Sequence, residues 1–151
     1  MQKTTQSGKT YREHLLVDKA AEAAGNREIA ALLLDNRQEG VKLLPKIHAK
    51  ETTLRERYFS KEYVKLHPTS NPDAVIDGTI IEFKKTNKNK FISQVGIAAK
   101  QSDVIFVSTT EILTDIDIKE KITKIWNMND RKNIKKIIVH NAGAIQTFNR
   151  P

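Results

Sequence analysis

Cysteine is absent from the 151 residues, so no disulfide braces the chain and no thiolate can hold a metal. No apolar run approaches the roughly 18 residues that a membrane span needs. The opening stretch, Met1-Gln2-Lys3-Thr4-Thr5-Gln6-Ser7-Gly8-Lys9, lacks the apolar core of a signal peptide and reads as a flexible lead over residues 1–9. Internal repeats are missing, and the apolar-periodic stretches are too short for a coiled coil. Acidic groups are in deficit, 18 against 26 lysines and arginines, which leaves a net charge of +8. That imbalance favours a polyanionic partner such as nucleic acid, with solubility charge as the plainer reading. The remaining length, 10–151, suits a single domain able to bury a core of its own.

What is present is organised around one hairpin, Asn71-Pro72-Asp73-Ala74-Val75-Ile76-Asp77-Gly78-Thr79-Ile80-Ile81-Glu82-Phe83-Lys84-Lys85. Asp77-Gly78 fits a two-residue type I′ turn, whose central positions both need positive φ. With that pair as the loop, Ile76 faces Thr79, Val75 faces Ile80, Ala74 faces Ile81 and Asp73 faces Glu82. Opposed residues share a face with Cβ atoms about 4.5–5.5 Å apart. Two carboxylates so placed repel unless a cation lies between them. Lys84, two residues beyond Glu82, points to the same side. Asp73, Glu82 and Lys84 are therefore expected to converge on one exposed patch.

Before the hairpin, Thr10-Tyr11-Arg12-Glu13 has capping-box spacing and predicts a helix through Leu15, Leu16, Ala20, Ala23 and Ala24. Gly25-Asn26 predicts its stop, with Asn26 capping a second helix that ends near Gly40. Val41-Lys42-Leu43-Leu44-Pro45 reads as a short strand. Residues 46–70 are ambiguous; 52–59 fit a helical turn or a basic loop, and the second half reads as loop flanking the site. After the hairpin the pattern gives a basic loop at 86–90, a helix over 91–101, a strand buried on both faces at 104–108, a helix over 117–128, a strand over 134–140 and a last strand over 144–148. This order implies an α/β (α+β) domain, a mixed central sheet with helices packed against it.

Pro72-Asp73, nine residues and then Glu82-Phe83-Lys84 resembles the Pro-Asp…(Asp/Glu)-x-Lys signature of a large nuclease superfamily, whose usual core order residues 27–108 reproduce. A more particular resemblance covers about residues 20–150. Val41-Lys42-Leu43-Leu44-Pro45, Pro72 to Gly78, Glu82-Phe83-Lys84 and Ala99-Lys100-Gln101-Ser102-Asp103-Val104 look like the C-terminal RNase domains of contact-dependent growth-inhibition toxins and their relatives in phage and mobile elements. That likeness implies tRNA cleavage in the bacterial cytoplasm, delivery as the tip of a secreted toxin, and a cognate immunity protein. It also implies a barnase/EndoU/colicin-like fold, in which cleavage uses the ribose 2′-hydroxyl and no metal. The tryptophan these domains often carry before the glutamate is Ile81 here.

Two schemes for the site stay open. In one, Asp73 and Glu82 bind Mg²⁺, Lys84 neutralises developing charge and Gln101 lies nearby, where some metal nucleases carry a helical glutamine. In the other, cleavage is metal-independent and the same hairpin groups act as acid, base and charge stabiliser. Lys85, Lys88, Lys90 and Lys100 cluster around the hairpin exit as phosphate contacts, joined by Arg55 and Arg57 from the ambiguous segment. The histidines His14, His48, His67 and His140 read as structural, because no partner can be placed for any of them from sequence. A metal-dependent DNA endonuclease and a non-catalytic nucleic-acid-binding module are the alternative functions.

Overall fold

A computed structural model of the chain describes residues 2–13, 23–35 and 40–151. The chain divides into two units, residues 1–81 and 82–151, and the division falls inside a single strand. Both units combine a mixed sheet with helices, the α+β class expected.

In the first unit, β1 (Gln2–Thr4) runs antiparallel to β2 (Thr10–Glu13), which lies parallel to β3 (Val41–Leu43). β3 then pairs antiparallel with β4 (Ala74–Ile76), and β4 with the start of β5 (Thr79–Thr86). Residues 2–4 are thus a paired strand, which corrects the flexible lead. Thr10 to Glu13, expected to cap a helix, is likewise a strand. Its residues alternate exposed and buried, the period of a strand with one face inward. Leu15, Leu16, Ala20 and His14 lie outside the described residues.

Helix α1 (Ala23–Asp35) runs straight through Gly25 and Asn26, the pair expected to break it. Its Ile29, Ala30, Leu33 and Leu34 are buried, and the helix packs against β3. The ambiguous segment holds two short helices, α2 (Thr52–Phe59) and α3 (Lys61–Leu66). Phe59, Tyr63 and Val64 from these helices join Leu44 and Ile47 in a small core. Ser60, at φ +85°, separates the helices and accepts a hydrogen bond from the Tyr63 amide, capping α3. So 61–66, expected to be loop, is helical.

The hairpin register is the expected one: Ala74 pairs with Ile81, Val75 with Ile80 and Ile76 with Thr79. Asp77 and Gly78 have φ of +48° and +81°, the two positive values of a type I′ turn.

In the second unit, β5 from Glu82 onward, β6 (Val104–Thr109) and β7 (Lys136–Asn141) are parallel neighbours, and β8 (Ala144–Asn149) returns antiparallel to β7. Helices α4 (Phe91–Ala99) and α5 (Asp115–Trp126) cover one face. Phe91, Val95 and Ala98 of α4 and Ile118, Ile122 and Ile125 of α5 bury Ile105, Val107, Ile137 and Val139. The phenylalanine, valine and isoleucine side chains among them each contribute about 1.5–3 kcal/mol by leaving water. α5 begins at Thr114, whose hydroxyl accepts from the Asp117 amide, while Leu113 and Ile118 on either side are both buried.

Candidate functional site

β5 carries Glu82 and Lys84 toward one face of the second unit's sheet, because they sit beside Ile105 and Val107 of β6. Glu82 is 5 % exposed and Lys84 half-buried. Phe83 and Lys85 point the other way, and the Phe83 ring meets Phe106 edge-on at 6.0 Å between centroids. Gln101 lies just past the end of α4 rather than within a helix, and its backbone N–H donates to the Ala98 carbonyl at 2.9 Å.

Asp73, at the threshold of β4, is also 5 % exposed, so neither carboxylate forms the open surface patch expected. Asp73 is instead built into a polar network of the first unit. Its Oδ1 accepts from Asn26 Nδ2 at 3.0 Å and lies 3.2 Å from Lys46 Nζ, which also reaches the Asn71 carbonyl. The neighbouring helical residue, Arg27, grips the buried Glu13 with both arms, Nε to Oε1 at 2.7 Å and Nη2 to Oε2 at 3.0 Å. Two consecutive residues of α1 thus hold two buried carboxylates. Sequence reasoning missed Asn26, Arg27, Lys46 and Glu13. The adjacency Asn26-Arg27 on a helix is visible in the chain, but its partners come from strands far away in sequence. Burial, and to a smaller extent the Glu13 charge, push the Tyr11 phenol above its ordinary value, with Arg27 opposing.

The basic residues divide by role. Arg55, expected to touch substrate, is 0 % exposed. Its guanidinium donates to the carbonyls of Ile47, His67 and Ser70 and to Asn71 Oδ1, and lies over the Phe59 ring, so it pins the 47–71 segment and cannot reach a phosphate. Arg57 is exposed. Lys85 and Lys90, with Thr86, Asn87, Gln94 and Thr110, line a polar cavity of about 270 Å³ at the carboxyl end of β5. Asn87 shapes its rim by accepting from the Lys90 amide at 2.9 Å. Lys88 turns aside, its ammonium 3.4 Å from Asp117. Lys100 is exposed at the far end of α4, about 15 Å along the helix from Lys90. Four lysines expected as one cluster therefore resolve into a pair at the cavity and two apart from it.

A further polar group lies at the same end of the sheet. Ser108 Oγ and His140 Nδ1 are 3.1 Å apart, and the next residues on the two strands, Thr109 and Asn141, bond through Thr109 Oγ1 and Asn141 Oδ1 at 2.9 Å. The carboxyl ends of parallel strands are where open α/β sheets bind ligands.

The donors around Asp73 bear on the Mg²⁺ scheme. Among the described residues no three His, Cys, Asp or Glu side chains gather to hold a metal. An ammonium and an amide already occupy Asp73 Oδ1, and a second cation beside that ammonium is repelled.

The profile of the contact-dependent growth inhibition CdiA C-terminal domain matches residues 70–145, which span the hairpin, β5, both second-unit helices and the Ser108–His140 pair. The chain belongs to that family. It is a contact-dependent growth-inhibition toxin domain, of the kind carried at the C-terminus of secreted CdiA proteins and paired with immunity proteins. No curated protein and no solved structure matches it. Among the described residues of this toxin domain, no helix is long and apolar enough to cross a membrane.

Proposed function

We propose that this toxin domain is a nuclease that cleaves RNA phosphodiester bonds, with tRNA the favoured substrate. The observation that supports it best is β5 itself. One strand carries a buried carboxylate, Glu82, and an ammonium, Lys84, on one face, and ends at a polar cavity lined by Lys85 and Lys90. A carboxylate and an ammonium supply the acid, base and charge-stabilising groups that phosphodiester cleavage needs. The two cavity lysines, with exposed Arg57 and Lys100, supply backbone-phosphate attraction in a chain of net charge +8.

In this reading Glu82 moves the proton and Lys84 neutralises charge at the phosphorus. Asp73 enters as the second acidic group that the hairpin sequence nominates. Gln101 is a supporting polar group. No step is routed through Mg²⁺, given the donors around Asp73. An immunity protein is the expected protein partner, and the target cell's cytoplasm is where tRNA would be met.

The test incubates purified protein with tRNA and with plasmid DNA, in Mg²⁺ or in EDTA. RNA cleavage that survives EDTA is expected. Plasmid cleavage that requires metal would move the domain to the DNA endonucleases, and binding without cleavage of either would make it a binding module.

A further inference from the structure

At the carboxyl ends of β5, β6 and β7, three side chains stand in one row. The register pairs Lys85 with Ser108 and Ser108 with His140, so all three project from the same face. The row grades from exposed Lys85 through buried Ser108 to half-buried His140. Behind it, one step back along the strands, lie Phe83, Phe106 and Ile138, an apolar floor that lowers the local dielectric and strengthens any charge interaction above it. Glu82 and Lys84 lie on the opposite face of β5, so this row is distinct from them.

The hydrogen-bond geometry favours an anion. Ser108 Oγ holds the ring through Nδ1 at 3.1 Å, and His140 Nε2 has no partner among the described residues. When the Ser108 hydroxyl donates to Nδ1, the proton of the neutral ring resides on Nε2. In that tautomer Nε2 is a donor on the same sheet face as Lys85, two strands away. An ammonium and an oriented N–H together match the oxygens of a phosphate group. Lys85 also lines the neighbouring cavity with Lys90, so a chain of phosphates could pass from one to the other.

We propose that Lys85, Ser108 and His140 form a phosphate subsite that holds a backbone phosphate of the RNA strand away from the bond being cut. Lys85 and His140 touch the phosphate, and Ser108 is a positioning residue that sets the imidazole tautomer. The proposal rests on the RNA-cleavage reading for its ligand, but the phosphate chemistry can be tested without turnover.

Two measurements separate the cases. In the first, the His140 ring resonances of the full chain are followed by NMR while inorganic phosphate is added. They should shift saturably in wild type, and the shift should weaken at least tenfold in Lys85→Ala. In the second, steady-state tRNA cleavage is measured for wild type, Lys85→Ala, His140→Ala, His140→Gln and Ser108→Ala. KM should rise about tenfold in Lys85→Ala and His140→Ala, with kcat within about twofold. Glutamine, whose amide approximates Nε2, should recover most of the loss, and Ser108→Ala should fall between. Wild type that cleaves no RNA but whose His140 responds to phosphate would sink the function and leave the subsite standing, with free phosphate rather than RNA as its ligand. A folded His140→Ala with unchanged KM, or a His140 resonance indifferent to phosphate, would overturn the subsite. A fall in kcat of a hundredfold at constant KM would also overturn it, because His140 would then act on the reacting bond.

Discussion

Lys46 Nζ stands 3.2 Å from Asp73 Oδ1, and Asn26 Nδ2 donates to the same oxygen at 3.0 Å. The hairpin's first carboxylate is therefore a structural member of the first unit, whatever else it does. Replacing one partner of a buried group costs the desolvation of the group left behind, about 1–3 kcal/mol. Lys46→Met is expected to destabilise the domain within that range, and Asp73→Asn by less, because an amide can still accept from Asn26. Urea unfolding of the two variants checks the order. If Asp73→Asn keeps its fold and its full activity, Asp73 has no part in cleavage.

Arg55 and Arg57, two residues apart on α2, should behave in opposite ways. Arg55→Met leaves the Ile47, His67 and Ser70 carbonyls without their donor and should cost about 3 kcal/mol of stability. Arg57→Ala should leave the melting temperature unchanged while weakening RNA binding and lowering the salt slope of log K by up to about one. Thermal melts and binding at several salt concentrations distinguish them. Loss of RNA affinity in a stable Arg55 variant would contradict this division.

Gly96 lies against the guanidinium of Arg131, where an added Cβ would collide with it. Arg131 is buried, donates to the Ile92 carbonyl, and has little room to retreat. Gly96→Ala raises helix propensity but should still lower stability, by about 1–3 kcal/mol, as overpacking does. A melt at or above the wild-type temperature would show that Arg131 yields freely.

Tyr11 gives a pH prediction. Burial first and then the Glu13 charge raise its phenol above 10.0 in the fold. A raised value means that the stabilisation is complete below the unfolded tyrosine's pKa and is lost as pH rises through the folded one. Stability should therefore fall on the alkaline side of about pH 10, and Tyr11→Phe should flatten that fall. Denaturation midpoints of the two proteins across the alkaline range test the sign.

The hairpin was legible because Asp-Gly between β-branched runs dictates both turn and register, and the second unit because its apolar runs are long and bounded by polar loops. The amino-terminal part was opaque for identifiable reasons. Glu13 is a buried strand residue whose charge is matched by Arg27 on a helix, so the local pattern mimics a helix cap. α2 buries an arginine, which a hydropathy reading places outside. His140 gained a partner only once β6 and β7 were laid side by side, 32 residues apart in the chain. Pro-Asp and Glu-x-Lys are visible in the chain, but not that both carboxylates are buried or that Asp73 is tied to Lys46. Those facts arise from tertiary pairing, to which spacing alone is blind.

The central claim is that β5 carries an RNA-cleaving site, and Glu82→Gln tests it most directly. Removing one negative charge while keeping the shape should leave the melting temperature within a few degrees of wild type. Cleavage of tRNA in EDTA should then fall at least a hundredfold. A folded Glu82→Gln protein that cuts tRNA at the wild-type rate would contradict the account.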